Sequence, residues 1–229
     1  MRLLRSLSFA GAMAALLPVG AAAQVTAGQT QLTAESGVCP DGDSRCSYGR
    51  TWFVTIYGDR RAANGLWPVV GGVFDVGLKF RNQYFVGGAL SYVLLHDIRI
   101  PIPFTGWTAT HNRIEIEGQL DQHFGEASNT NTEVVLAAVF RTGNLPLFAG
   151  ISMNVAFGLG PSYAFSAPDE PRDYKFLNYL SGEVEFGSEQ FPALHVVPQL
   201  HHRSGVFGLI APSAAGSTYL GVGLRLDLD

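Results

Sequence analysis

The stretch RIEIEGQLDQH, residues 113–123, decides the fold. Ile114, Ile116, Gly118 and Leu120 alternate with Glu115, Glu117, Gln119, Asp121 and His123. Successive side chains of a strand point to opposite faces, so this segment has one apolar and one polar face. The pattern recurs along the chain. Between Gly150 and Gly160, Ile151, Met153, Val155, Phe157 and Leu159 oppose Ser152, Asn154, Ala156, Gly158 and Gly160. Near the C-terminus, Thr218, Leu220, Val222, Leu224, Leu226 and Leu228 oppose Ser217, Tyr219, Gly221, Gly223, Arg225 and Asp227.

A soluble sandwich also alternates, burying its apolar faces between two sheets. Two features favour lipid instead. The polar faces carry small residues (Gly158, Gly160, Gly221, Gly223) that a narrow lumen needs. The runs are also ~10 residues or longer, the length of a tilted strand crossing a bilayer. Aromatics near run ends (Tyr84, Tyr92, Phe124, Phe140, Tyr163, Tyr179, Phe186) fit interfacial girdles.

Alternating runs lie near 51–58, 72–80, 83–94, 112–124, 131–142, 150–163, 174–187, 193–204 and 217–228. The second and third share one phase through Phe74, Val76, Leu78, Phe80, Tyr84, Val86, Leu90 and Tyr92. One strand from Gly72 to Leu94 then gives eight, an even number as single-chain bacterial barrels require. The expected fold is all-β: an eight-stranded antiparallel transmembrane barrel of up-and-down topology over residues 50–229. A soluble lipocalin-like barrel is the alternative. The connection 95–111, with Pro101, Pro103 and Gly106, is long for a periplasmic turn and reads as an insertion.

The N-terminus supplies the compartment. Arg2 and Arg5 precede an apolar stretch from Leu7 to Leu17, and Ala21, Ala22 and Ala23 precede Gln24. This is the pattern of a signal peptide, residues 1–23, cleaved on export. Losing its two arginines takes the net charge from −4 to −6 (−4 − 2), a balance that offers nothing to nucleic acid. The only two cysteines, Cys39 and Cys46, fall in the following segment 24–49. In an oxidising compartment a close lone pair reads as a disulfide, since two thiols without a nearby histidine make a poor metal site.

On the polar faces stand Glu115, Glu117, Asp121, Glu133, Arg141, Glu183, Glu185, His195, His201, Arg203 and Arg225. They form either an acid/base or metal cluster or a lumen of mutually paired charges. Side chains just fill an eight-stranded barrel, and a filled lumen accounts for all of these residues together. Such a barrel is not a porin, and no cofactor is implied.

The segment LHVVPQLHHRSGVFG, residues 194–208, carries the chemical signal. Its outward phase passes through Leu194, Val196, Pro198 and Leu200 to His202 and Ser204. A histidine two residues from a serine on one strand face presents imidazole beside hydroxyl, ~6.5–7 Å apart at their roots. A histidine in reach can activate the serine, and a third group normally orients the histidine.

With its His202-Arg203-Ser204 motif late in an eight-stranded barrel, the chain resembles the outer-membrane lipid A deacylases, or acyloxyacyl-hydrolase-like barrels. The segments 114–125, 177–180 and 201–208 add to the likeness. The resemblance implies Ser204 as nucleophile and His202 as general base, acting on an acyl ester of lipopolysaccharide from the membrane side. Gly205 stands where the family has Asn, and Gly216 where its acid is expected. Glu170, with Asp169 and Asp173, lies in the preceding external loop and is the acid that remains. Expected partners are the outer-membrane lipid, lipopolysaccharide and the machinery that assembles outer-membrane barrels. A non-catalytic structural or binding barrel is the alternative function.

Overall fold

The computed structural model describes residues 51–71, 77–126, 130–166, 174–212 and 215–228. The expected signal peptide, the segment 24–49 with Cys39 and Cys46, and the acid Glu170 with Asp169 and Asp173 lie outside these residues.

Eight long strands form the barrel: β1 (Trp52–Ala62), β2 (Phe80–Pro101), β3 (Thr108–Gly125), β4 (Asn131–Arg141), β6 (Ile151–Ala164), β7 (Phe176–Ser188), β8 (Phe191–Ser204) and β9 (Gly216–Asp227). A two-residue strand, β5 (Leu145–Pro146), pairs only with the start of β6. Every long strand pairs antiparallel with its neighbours in sequence, and β1 pairs with β9 to close the ring. The topology is up-and-down, as the alternation predicts.

Closure fixes the shear. From Arg61 the paired positions run through Tyr219, His201, Ser181, Gly158, Val139, Glu115 and Val93. The Val93 N–H then donates to the Thr51 carbonyl. The circuit re-enters β1 ten residues from its start (61 − 51). Strands tilted by such a stagger, ~35–45°, enclose a lumen that side chains can fill.

The two faces differ as the period of two requires. Ile56, Val86, Leu90, Leu120, Leu136, Phe157, Leu159, Val222 and Leu224 point outward and are exposed. An apolar band around the whole circumference is far more than a soluble monomer exposes, and it is the surface lipid covers. Aromatic pairs flank it: Trp52 with Tyr92 (4.7 Å between ring centres) at the end where β1 begins and β9 ends, Tyr84 with Phe124 (5.9 Å) at the far end. Tyr179 differs from expectation. It belongs to the inward series and is buried in the lumen.

The count of eight holds, but the strand expected from Gly72 to Leu94 has other limits. Leu66–Gly71 is a short helix, α1, with Pro68 in its first turn, where a missing N–H forfeits no helical bond. Strand β2 begins at Phe80 and continues past Leu94 to Pro101. The shared phase of Phe80, Tyr84, Val86, Leu90 and Tyr92 is that of β2 alone.

This also explains the long connection. Pairing of β1 with β2 begins at Trp52–Tyr92, and that of β4 with β3 at Arg113–Arg141. Beyond those positions, apart from the Val93–Thr51 bond, β2 and β3 pair with each other alone among the described residues, up to Pro101–Thr108. The expected insertion is therefore a two-stranded ribbon projecting from the terminal end of the barrel. Its register shifts three times, and Asp97 and His111 adopt positive φ (49° and 63°) there. Their side chains meet at 3.1 Å.

Candidate functional site

The lumen is packed rather than open. Phe85, Glu117, Asp121, Tyr179 and His201 are all buried. Glycines make the room: Gly87 lies against Asp121, Gly158 against Ser181, and Gly221 against Asp59.

Two polar layers fill the interior. In the layer nearer the termini, Glu115 receives Arg113 (2.6 Å), Arg225 (2.9 Å) and Arg141 (3.2 Å). Arg141 also reaches Glu183 (2.8 Å) and Glu185 (3.0 Å). Three guanidinium groups thus face three carboxylates, which offsets the cost of taking such charges out of water. His195 stands between Glu185 and Asp227.

In the far layer Glu133 is the hub. It accepts hydrogen bonds from His123 (2.9 Å) and the Ser162 hydroxyl, with Arg203 at 3.2 Å and His201 at 3.4 Å. Phe85 packs against His123, His201 and Tyr219. All eleven charged residues expected on the inward face are found there, and Asp59, Arg61, Arg113 and Asp227 join them. Asp227 already stood on the polar face of its run, and Asp59, Arg61 and Arg113 continue the inward phase of β1 and β3.

On the outer wall at the far end stand His202 and Ser204, both half-buried and both in the outward series of β8. Cross-strand register sets His202 opposite Thr218, and the His202 Nδ1 and Thr218 Oγ1 are 2.9 Å apart. Thr218, also of the outward series, is buried. This threonine was not legible as a partner, because only the register of β8 on β9 reveals it. Among the described residues, His202 contacts no carboxylate, and Ser204 makes no side-chain hydrogen bond. Among the described residues, the Thr218 hydroxyl is the side-chain partner that His202 meets.

The backbone after Ser204 turns sharply. Gly205 is right-handed (φ −78°, ψ 10°), while Val206 (φ 51°) and Phe207 (φ 53°) are left-handed. Positive φ at a β-branched residue is a strained conformation held by its surroundings. Here the Gly205 carbonyl accepts from the N–H groups of Gly208 (3.3 Å), Ile210 (3.0 Å) and Ala211 (3.3 Å), clamping the turn. A Cβ at Gly205 would run into the Ala211 backbone, so the turn admits glycine alone at this position. Among the described residues, the N–H groups of Val206 and Phe207 donate to no acceptor. A right-handed residue followed by a left-handed one gathers successive N–H groups into a concavity suited to an anion.

No protein-family model matches the chain, and no curated protein does. Solved structures do. The crystal structure of the outer membrane enzyme PagL superimposes with a TM-score of 0.54 at 9% identity, covering 76% of this chain and 99% of that one. The crystal structure of Neisserial surface protein A matches with a TM-score of 0.45 at 10% identity, covering 77% and 97%. At these identities the likeness to PagL is one of fold.

Proposed function

We propose that the chain is an outer-membrane acyl-ester hydrolase acting on lipid A, with Ser204 as nucleophile and His202 as general base. The carrying observation is the turn directly after Ser204, whose strained residues present two backbone N–H groups that donate to no acceptor among the described residues. An oxyanion formed at an ester carbonyl needs such preorganised donors. The Thr218 contact on His202 Nδ1 leaves Nε2 for the serine. Their roots lie two residues apart on one strand, so a rotamer change must close the remaining distance.

The chemistry follows the serine-esterase course. The Ser204 Oγ attacks the ester carbonyl carbon and its proton passes to His202. That proton then leaves with the sugar alcohol as the ester bond breaks, giving an acyl-serine. Water, deprotonated by His202, releases the fatty acid and restores Ser204. An outward-facing site suits this substrate, because acyl esters of a lipid lie at headgroup level beside the wall. The signal-peptide pattern of the N-terminal sequence, the apolar outward band and the fold shared with PagL all support the outer membrane as location.

A second reading, a non-catalytic envelope barrel, is favoured by the lack of a carboxylate on His202 among the described residues. Mass spectra of lipid A from Gram-negative cells expressing the wild type or Ser204→Ala separate the two. Acyl loss with the wild type alone supports the hydrolase. Unaltered lipid A in both, with the barrel folded in the membrane, leaves the structural reading.

A further inference from the structure

We propose that the far layer of the lumen binds a divalent cation of the zinc type, with Asp121, Glu133 and His201 as its protein ligands. This site is separate from His202 and Ser204, which face the opposite side of the wall. One ligand atom from each of the three residues lies within 4.8 Å of the other two. An ion at the centre of a triangle with that edge is about 2.8 Å from each corner, so a contraction of under ~1 Å reaches zinc–oxygen and zinc–nitrogen bonds of ~2.0–2.2 Å.

The second observation is that Asp121 has no hydrogen-bond partner on either carboxylate oxygen although it is fully buried. Buried polar groups are paired almost without exception, and a lone buried carboxylate is among the costliest breaches. The imidazole of His201 is in the same position. Its Nδ1 lies 3.9 Å from Asp121 and its Nε2 3.4 Å from Glu133, and neither makes a hydrogen bond. The three residues surround a place for something that accepts lone pairs from all of them.

The donor set, one imidazole with two carboxylates, is among those zinc accepts. Glu133 is already held by His123, Ser162 and Arg203, the kind of outer support that fixes a ligating carboxylate. Gly87 gives Asp121 its berth on the adjacent strand.

The test uses the full chain, untagged and carrying Cys39→Ser and Cys46→Ser so that thiols bind nothing. It is folded into detergent micelles with Zn2+ and then washed with EDTA. A closed lumen retains its ion while surface histidines release theirs, so one Zn2+ per chain is expected by elemental analysis. Asp121→Asn and His201→Gln should lose the retained ion, and His111→Ala should keep it. Folding is read independently from the heat-dependent gel shift of a closed barrel. If a variant fails to fold, folding the parent with Co2+ decides: an intense visible band marks a compact nitrogen–oxygen site, and the pale spectrum of the aqua ion rejects it. A parent barrel that folds and holds no zinc after the wash overturns the proposal, as does full retention in folded Asp121→Asn. Neither result bears on lipid A hydrolysis.

Discussion

Asp121 rests on the bare backbone of Gly87, and a methyl group at Gly87 would occupy the place of the Asp121 Oδ1. Because Asp121 is wholly buried, it has no outward path of escape. Gly87→Ala should therefore destabilise the barrel by ~1–3 kcal/mol, the usual range for overpacking. Combining it with Asp121→Ala should recover part of that loss. Urea titration of the refolded barrel in micelles checks both, and additive losses would deny the contact.

The buried charges of the other layer are expected to be far less tolerant. Arg141 touches Glu115, Glu183 and Glu185 with no solvent on any side. Arg141→Met leaves three carboxylates facing one another with reduced compensation, at a cost of ~3–5 kcal/mol. The same titration measures it. A loss below ~1 kcal/mol, typical of an exposed pair, would mean that water reaches this layer.

Val222 lies near the middle of β9, points outward and is half exposed. If lipid covers it, Val222→Arg should weaken folding into phospholipid vesicles by ~2–4 kcal/mol, the midplane cost of arginine. In water the substitution would be neutral. Equilibrium folding into vesicles tells these environments apart, and a neutral result there removes the membrane assignment.

On the proposed mechanism, the Thr218 hydroxyl orients His202. Thr218→Val keeps shape but removes the oxygen, so deacylation should slow about tenfold, equivalent to ~1.4 kcal/mol of barrier. Thr218→Ser should retain most of the rate. Lipid A mass spectra taken over a time course read both variants. Equal rates in Val and Ser forms would show that the hydroxyl orients nothing.

Much of this architecture was legible because a strand encodes its environment in alternate residues. From Ile114 to His123 the phase alone sorts every side chain to the correct face. The inward glycines on β6 and β9 likewise announced a narrow lumen. What escaped depends on register between strands remote in sequence. No local pattern sets Thr218 across from His202, or gathers His123, Ser162, His201 and Arg203 around Glu133. The limits of β2 escaped for another reason. Phe74, Val76 and Leu78 continue its parity by composition, while the prolines 101 and 103 disguise a paired ribbon as a loop. The acid expected at Glu170 falls outside the described residues.

The ten-residue stagger has a consequence for how the molecule is made. Arg225 of the last strand binds Glu115 of the third, and Gln199 of β8 binds Asp59 of β1, 140 residues away. An open sheet that has not closed β1 on β9 cannot form these pairs, since each crosses that seam. A chain still lacking its last strand therefore exposes its charged interior to solvent and gains nothing from it. Assembly must proceed as a late, cooperative zippering of β1 onto β9, slow in the manner of folds dominated by distant contacts. Sequence changes in the lumen should accordingly be felt first as failed biogenesis, before any effect on a finished barrel.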